Sequence, residues 1–356
     1  MERRKFIKKS LLTASVIGLG GKYAFADNPT PRGGHPSQFP IPENAHERWE
    51  VPHFEAMKTP ALVPYERDSR NTAIWIHWKN EILTCYRAET RQKYPYFYPL
   101  EGLGSGLSLT TEAGNPFPHH RSVFFGLDRI ETADGERHGF WQNHPDRDRI
   151  VSTRLELGEM TERSIEFFND CLWTPHQREP IIADKRRFVL TVIDDTSYTL
   201  DCYFELTALT DLRFNRTNHG LFGVRLANDL SVNGGGVLIN SEGGQRRQGT
   251  DNRPARWMAA YGKRFRRNDG LIEGLAIMAP PYTRAPFDKG VWFVRNFGNF
   301  SPMPFNALDR YETVSFPKND VIKLAYRLVT YTGVPTTSFL NAQWEEFTAL
   351  SEGKRS

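Results

Sequence analysis

The chain has 356 residues, of which 39% are hydrophobic, 13% are aromatic and 25% are charged. This composition supports a packed core and excludes a chain that is disordered throughout. The formal net charge of +4 comes from the first 26 residues, because the remainder holds 40 basic and 41 acidic residues. We therefore expect neither nucleic acid nor a membrane surface as a partner of that remainder.

The first 26 residues have the pattern of a bacterial twin-arginine signal peptide. Arg3 and Arg4 precede a weakly apolar run, LLTASVIGLGG (11–21), and the small-x-small triplet AFA (24–26) precedes Asp27. The apolar run is about half of the roughly 20 residues that a membrane-spanning helix needs. The pattern predicts recognition by the twin-arginine export machinery, cleavage before Asp27, and a periplasmic or extracellular mature chain without a membrane span.

The next segment, residues 27–64, contains eight prolines. Proline lacks a backbone N–H and fixes φ, so this composition is unfavourable for helices and for central strands. We predict a proline-rich tether or arm over residues 27–64, followed by a single domain over residues 65–356.

From residue 72 onward, short runs rich in valine, isoleucine, threonine and aromatic residues alternate with turn residues. The predicted strands are 72–78, 122–126, 149–157, 186–193, 198–209, 221–227, 236–240, 271–278, 290–297 and 321–329. Helical spacing of apolar residues predicts one helix, over 338–353. Many strands without alternating helices predict an all-β fold, a large antiparallel β-sandwich with a short C-terminal helix.

Two patterns argue against common chemistries. The three cysteines, Cys85, Cys171 and Cys202, form no C-x-x-C pair, which excludes a thiolate zinc knuckle. Their apolar surroundings favour buried free thiols over a disulfide. The glycine-rich segment GLGSG (102–106) lacks the strand-then-helix context of a nucleotide-binding loop.

The segment NPFPHHRSVFFG (115–126) places His119, His120 and Arg121 between a proline loop and an apolar run. Successive side chains of a regular strand point to opposite faces, so both histidines would serve one pocket only if the chain is kinked there. Pro116 and Pro118 favour such an irregular start of the strand.

A second polar segment follows the predicted strand GVLIN (236–240), where Ser241 and Glu242 precede a glycine pair. A carboxylate at the end of a strand, flanked by glycine, faces either solvent or a cleft. The sequence leaves both possibilities open for Glu242.

Taken together, these segments resemble a bacterial family named "methane oxygenase PmoA-like". The resemblance covers roughly residues 70–333, in order, through YPYFYPLEGLGSGLSLTTEAGNPFPHHRSVFFG (94–126), HGLFGVRLANDL (219–230), INSEG (239–243), ARW (255–257), GLAIMAPP (274–281), VWFVRNFGNFSPMPF (291–305) and LAYRLVTYTG (324–333). It implies a galactose-mutarotase-like super-sandwich, an architecture shared by several carbohydrate-active enzymes. It does not imply methane oxidation, because that is membrane chemistry and the predicted mature chain has no spanning segment.

The sequence departs from this family at several histidines. Family members often have D-H-P where this chain has MAPP (278–281), and histidine where it has Phe293. A family histidine near the last strand corresponds to Tyr331. These replacements favour binding without turnover, or action on another substrate.

Three functions in carbohydrate recognition follow. The first is a mutarotase-like or epimerase-like enzyme, in which Glu242 is the general base and His119 or His120 the general acid. Four residues are predicted to bind the sugar through hydrogen bonds or ring stacking: Arg121, Arg225, Trp257 and Arg295.

The second function is a metal-dependent hydrolase or lyase of glycosides or modified sugars, with His119, His120 and Glu242 as ligands. Adjacent histidines are an unusual ligand spacing, so the sequence assigns no metal site and leaves the cofactor open. The third is a non-catalytic periplasmic sugar-binding sandwich. In all three, the partner is a carbohydrate or a related small molecule.

Overall fold

The computed structural model describes residues 62–66, 72–79, 81–142, 148–265 and 269–355. Its strands are β1 (Leu62–Glu66), β2 (Ala73–Trp78), β3 (Glu81–Arg87), β4 (Tyr96–Leu100), β5 (Val123–Leu127), β6 (Ile130–Thr132), β7 (Arg137–His138), β8 (Arg149–Met160), β9 (Ser164–Thr174), β10 (Ile182–Asp194), β11 (Ser197–Ala208), β12 (Leu212–Asn215), β13 (Gly220–Arg225), β14 (Val237–Asn240), β15 (Trp257–Lys263), β16 (Ile272–Met278), β17 (Trp292–Arg295), β18 (Asn299–Pro302), β19 (Thr313–Phe316) and β20 (Val321–Thr332). The helices are α1 (Arg246–Thr250) and α2 (Thr337–Arg355). Short 3-10 turns span Asn228–Leu230, Val232–Gly234, Phe287–Lys289 and Pro304–Ala307.

The predicted signal peptide, residues 1–26, and residues 27–61 of the predicted arm lie outside the described residues. Strand β1 begins at Leu62 and therefore spans the predicted boundary between the arm and the domain.

Antiparallel sheets form the framework. Sheet 1 has the order β1-β2-β3-β4-β5-β13-β18-β17, sheet 2 the order β14-β15-β16-β20-β11-β10-β9-β8, and a smaller sheet 3 the order β19-β12-β6-β7. This architecture and helix α2 confirm the predicted all-β sandwich with a C-terminal helix. The ten predicted strands all occur, with bounds that differ by a few residues.

The two large sheets pack face to face through aromatic side chains. The rings of Phe125 in sheet 1 and Phe204 in sheet 2 stack with centroids 3.9 Å apart, and those of Phe222 and Tyr326 stack at 4.6 Å. In β9, buried and half-buried residues alternate along the whole strand, as expected for a strand with one face in the core. The aromatic richness of the sequence thus belongs largely to the space between the sheets.

The other face of sheet 2 is covered in part by helix α2. Trp257 of β15 is 1% exposed and packs in a cluster with Leu340 and Phe347 of α2. Its indole Nε1 donates a hydrogen bond to the side-chain oxygen of Asn341 at 2.9 Å. The predicted sugar-binding Trp257 is therefore a core residue, because α2 covers the face on which its side chain lies.

The glycine-rich segment GLGSG binds a carboxylate of the chain itself. The buried Glu273 Oε1 accepts hydrogen bonds from the backbone N–H groups of Gly104 and Ser105, both at 2.9 Å. A Cβ on Gly102 would lie 2.4 Å from the same oxygen, so glycine is required by this close approach. Successive backbone N–H groups form such anion-binding concavities, and here the anion is internal.

All three cysteines are buried and free, as the sequence predicted.

Candidate functional site

The candidate site lies on the outer face of sheet 1, which we define as the face opposite sheet 2. Because Phe125 and Phe222 point toward sheet 2, their strand neighbours Phe124 and Gly223 lie on the outer face. Arg225, two residues beyond Gly223 in β13, lies on the same face.

The register of the strands extends this face in both directions. On one side of β13, Phe124 pairs with Gly223, Tyr96 pairs with Phe124, and Arg87 pairs with Tyr96. On the other side, Asn299 pairs with both Arg225 and Arg295. Directly paired residues of antiparallel strands share a face, so these side chains form two adjacent rows across sheet 1.

The two histidines meet at a kink before β5. Strand β5 begins only at Val123, and Ser122 has φ 54°, in the left-handed region. The rings of His119 and His120 lie with centroids 4.5 Å apart, and the ring of Phe117 lies 5.9 Å and 5.4 Å from them. The irregular strand start favoured by the sequence thus brings both histidines together at the outer face.

Arg225 is the most unusual charged group of the site. It is 4% exposed, and its Nη2 donates a hydrogen bond to the backbone oxygen of Asn115 at 2.8 Å. Its Nε and Nη1 have no hydrogen-bond partner within the described structure, and no carboxylate of a described residue forms an ion pair with it. The ring of Phe297 lies 4.4 Å from the guanidinium carbon. Burial lowers the pKa of Arg225 to about 10. In the described part of the chain, the site thus contains a buried cation without a counter-ion.

The loop before β5 closes over this cation. A Cβ added at Gly114 would lie 2.5 Å from Nε of Arg225, so the backbone of the loop is in close approach to the guanidinium. The ring of Phe117 from the same loop lies 5.1 Å from that of Phe297. The loop and Phe297 therefore enclose Arg225 from two sides.

His120 lies beside Arg225 and is 5% exposed. Burial is the main reason that its pKa falls to about 2, and electrostatic interactions with His119, Arg225 and His219 lower it further. The imidazole is therefore neutral near pH 7, with one nitrogen able to donate and the other able to accept a hydrogen bond. Its Nδ1 has no hydrogen-bond partner in the described part of the chain.

Further buried polar atoms on the same face have no hydrogen-bond partner among the described residues. They are both side-chain amide atoms of Asn299, Oγ of Ser301 and Nε1 of Trp141. Trp141 lies against Gly223 on this face, since a Cβ added at Gly223 would be only 2.8 Å from the Trp141 ring. Each buried polar group left unpaired costs about 1–3 kcal/mol, and native structures contain few of them. Such atoms are concentrated around one buried arginine, Arg225.

The other two predicted arginines lie on this face but have acidic partners. Arg295 donates a hydrogen bond to Asp251 at 2.8 Å and stacks on the ring of Phe293 at 3.7 Å. Burial lowers the pKa of Arg295, although Asp251 opposes that shift. Arg121 lies 3.9 Å from the carboxylate of Glu112. These pairs leave Arg225 as the arginine whose charge an incoming anion could neutralise.

Several residues of the site were not predicted from the sequence. His219 lies with Nδ1 3.8 Å from the carboxylate of Asp128 and its ring 6.1 Å from Trp141. Burial lowers its pKa, and Asp128 opposes this shift. Asn299 and Ser301 alternate with apolar residues in NFSP (299–302), and this i, i+2 pattern of small polar residues in a buried strand was the available indication.

Glu242 is separated from the histidines in this structure. Its side chain is 58% exposed and its Oε1 lies 3.8 Å from Nε of Arg256. It lines a cavity of about 350 Å³ with aromatic residues such as Trp292 and Trp344, and neither His119 nor His120 lines that cavity. The physical reason is strand order, because β14 is an edge strand of sheet 2 whereas β5 belongs to sheet 1. The predicted acid–base pair, and the predicted metal ligand set of His119, His120 and Glu242, are not assembled.

Among the described residues, no three His, Cys, Asp or Glu side chains lie together in a way that could hold a metal ion. None of the helices in these ranges is long and apolar enough to cross a bilayer.

A family model described as "Family of unknown function (DUF6807)" matches residues 74–345. No curated protein matches the chain. Among solved structures, a galactose 1-epimerase from Lactobacillus acidophilus NCFM is similar over 77% of this chain and 98% of its own, at 12% identity and a TM-score of 0.35. A galactose mutarotase related enzyme from Lactobacillus acidophilus is similar over 77% of this chain and 98% of its own, at 9% identity and a TM-score of 0.29. A mutant of heparan sulfate lyase HepC from Pedobacter heparinus is similar over 79% of this chain but only 37% of its own, at 11% identity and a TM-score of 0.34. These similarities concern the fold alone.

Proposed function

Because the chain belongs to DUF6807, a family of unknown function, its function has to follow from its own site, and we propose that it binds a sugar that carries a carboxylate. The ligand lies on the outer face of sheet 1, with its carboxylate at Arg225 and its hydroxyl groups at the neighbouring uncharged side chains.

The single observation that carries this proposal is that the buried guanidinium of Arg225 has no acidic partner among the described residues. A buried charge without a partner is strongly unfavourable, and proteins normally pair it or expose it. Nε and Nη1 are both free to donate, and charge-assisted hydrogen bonds to a carboxylate are the strongest that such donors form. A bound carboxylate would supply the missing counter-ion.

The groups around Arg225 support a sugar over a simple carboxylic acid. Asn299, Ser301 and neutral His120 offer uncharged donors and acceptors without partners, which suit hydroxyl groups. The rings of Trp141 and Phe297 flank His120 at 6.3 Å each. Apolar faces with a few convergent polar groups are typical of sites that bind small molecules.

The same geometry favours binding over acid–base catalysis. General acids and bases work best with a pKa near the operating pH, whereas the pKa of His120 is about 2. Glu242 lines a cavity that neither Arg225 nor the histidines line. The proposal is therefore the sugar-binding sandwich, in preference to the mutarotase-like enzyme or the metal-dependent hydrolase.

Two further proposals come from the sequence. The twin-arginine pattern supports export, so the protein is proposed to bind its sugar in the periplasm or outside the cell. The resemblance to PmoA-like sequences supports the proposal that those sequences have the same outer-face site, because the H-H-R segment lies at that site in this chain.

The test is isothermal titration calorimetry of the purified protein with glucuronate, galacturonate and mannuronate, each beside its neutral parent sugar. At least one uronate should bind 10-fold or more tightly than its parent, because a hydrogen bond to a charged group contributes about 1.5–3 kcal/mol. Arg225→Gln should remove this preference.

The matched control is Arg154→Gln, which alters an exposed arginine paired with Glu156 at the edge of sheet 2. It should retain the uronate preference. Equal affinity for uronates and neutral sugars, or a preference that survives in Arg225→Gln, would contradict the proposal.

A further inference from the structure

We infer that the cavity beside Glu242 is a second binding site, which takes an uncharged aromatic ring with a hydroxyl group, that is, a small phenol. The cavity has a volume of about 350 Å³, within the range of about 300–1,000 Å³ that is usual for small-molecule sites. Neither Arg225 nor the histidines line it. The inference therefore goes beyond the proposed sugar site and does not depend on it.

Most side chains that line the cavity are apolar. Trp292 of β17 and Tyr326 of β20 are buried there, and Trp344 of α2 is half-buried. The loop between β16 and β17 adds Tyr282 and Phe287, whose ring centroids lie 6.0 Å apart. Prolines complete the apolar lining, and they are Pro254, Pro280, Pro281, Pro302 and Pro304. Such a lining favours a ligand with a flat apolar face.

The polar atoms of three of these aromatic side chains are bound within the protein. Nε1 of Trp292 donates a hydrogen bond to a backbone oxygen at 2.9 Å, and Nε1 of Trp344 donates to another at 2.8 Å. The Tyr282 hydroxyl donates to the backbone oxygen of Ala325 and accepts from its N–H, both at 2.8 Å. The three rings are thereby held in place, and they offer a ligand only their apolar surfaces.

This lining favours an aromatic ring over a sugar ring. A pyranose carries hydroxyl groups around its whole circumference, and each one buried without a partner would weaken binding about 5- to 150-fold. Trp292, Trp344 and Tyr282 supply no such partner, because their polar atoms are already bonded. An aromatic ring needs a polar partner only for its substituent.

Glu242 supplies that partner. It lines the cavity, and its Oε1 accepts a hydrogen bond from Oγ of Ser241 at 2.8 Å. Nε of Arg256 lies 3.8 Å from the same oxygen, which is too far for a hydrogen bond. Oε2 of Glu242 accepts no hydrogen bond from the described residues. A phenol is neutral near pH 7 and could donate its O–H to this oxygen.

The charged side chains that line the cavity balance one another. Arg256 lies 3.8 Å from Glu242. Nζ of Lys289 lies 3.7 Å from the carboxylate of Asp288. A charged ligand of either sign would meet two groups of each sign, so it would gain little net attraction. The charge balance therefore favours an uncharged ligand, in contrast to the site at Arg225.

The experiment is isothermal titration calorimetry of the purified protein with 4-methylphenol and with 4-methylanisole, which lacks the hydroxyl donor. The phenol should bind at least 5-fold more tightly, because it alone can donate to the Glu242 carboxylate. Glu242→Ala should abolish this difference. The matched control Glu156→Ala removes another carboxylate paired with an arginine, Arg154 on β8, and should preserve the difference.

A second variant tests the apolar lining. Trp344→Leu keeps an apolar side chain on α2 but removes the ring, and it should weaken binding of 4-methylphenol about 10-fold. The control Trp75→Leu alters a half-buried tryptophan of β2 that does not line the cavity, and it should bind as the wild type does. If Trp344→Leu does not fold, the comparison with the exposed Glu242→Ala still decides.

The absence of 4-methylphenol binding, or an equal affinity for 4-methylanisole, would overturn the inference. Tighter binding of glucose would overturn the aromatic class of ligand, and tighter binding of 4-hydroxybenzoate would overturn the uncharged class. Arg225→Gln should bind 4-methylphenol as the wild type does, and Glu242→Ala should retain uronate binding. A failure of the proposed sugar site is thus distinguishable from a failure of this one.

Discussion

The substitution Arg225→Met offers the sharpest test of an unpaired buried cation. It should leave the unliganded protein about as stable as the wild type and abolish uronate binding. This outcome is unusual, because removing a buried arginine ordinarily leaves its acidic partner buried and unpaired.

The magnitude follows from the surroundings of Arg225. The pKa shift from 12.5 to about 10 corresponds to about 3 kcal/mol of unfavourable burial that the methionine would relieve. Against this, the substitution loses a charged hydrogen bond to the Asn115 oxygen, about 1.5–3 kcal/mol, and the contact with the Phe297 ring, about 1 kcal/mol. The terms nearly cancel, so the free energy of unfolding should change by no more than about 2 kcal/mol.

Arg327→Met is the matched control. Arg327 is 3% exposed, as buried as Arg225, but its Nε and Nη2 donate to the two carboxylate oxygens of Asp201 at 2.6 and 2.9 Å. Its removal leaves that carboxylate uncompensated, at a cost of about 3–5 kcal/mol. With about 3 °C of melting temperature per kcal/mol in a domain of this size, the control should melt about 10–15 °C lower.

The assay is differential scanning calorimetry of the three proteins with and without uronate. At a ligand concentration of about 100 times Kd, binding adds about 2.7 kcal/mol, which should raise the wild-type melting temperature by about 8 °C. The Arg225→Met protein should show no such rise. A loss of stability as large as that of Arg327→Met, in the absence of ligand, would show that Arg225 has a structural partner and would refute the reasoning.

Three further outcomes are expected. Gly114→Ala should weaken uronate binding 10-fold or more in calorimetry, because the added methyl group would displace the Arg225 guanidinium. The circular dichroism spectrum should stay unchanged. An unchanged affinity would contradict the close approach of the loop to Arg225. The free energy of unfolding should fall as the pH decreases below about 6.5, by up to about 1.4 kcal/mol per pH unit. In this range the imidazole of His120 binds a proton in the unfolded chain, whereas in the folded chain, with a pKa of about 2, it stays neutral. Urea unfolding at pH 7, 5.5 and 4.5 gives the free energy of unfolding at each pH. This free energy should fall less steeply with decreasing pH in His120→Gln than in the wild type. An equal pH dependence in the two proteins would exclude His120 as the cause. Arg3→Lys combined with Arg4→Lys should leave the precursor in the cytoplasm on cell fractionation, and normal export would exclude the twin-arginine route.

Local sequence pattern was sufficient for ten of the twenty described strands and for helix α2. In β10 buried and half-buried residues alternate, because a strand with one face in a core requires it, and its apolar half, 186–193, was predicted from the sequence. Strand β9 has the same alternation but was not predicted. Residue type and neighbourhood also placed His119, His120 and Arg225 among the predicted site residues. What the pattern could not show is which of these side chains would find a partner.

That question was decided by strand order and by what covers each face. Among the described residues Arg225 has no counter-ion, because its neighbour on β18 is Asn299, whereas Arg295 on β17 reaches Asp251. Glu242 and His120 are both polar residues near strand ends. They lie on different surfaces because Glu242 follows β14, which pairs in sheet 2, whereas His120 precedes β5, which pairs in sheet 1. Periodicity is a property of a few consecutive residues. The order of strands, and the placement of α2 over one face of sheet 2, depend on the packing free energy of the whole domain, so only the tertiary structure decided where the site lies.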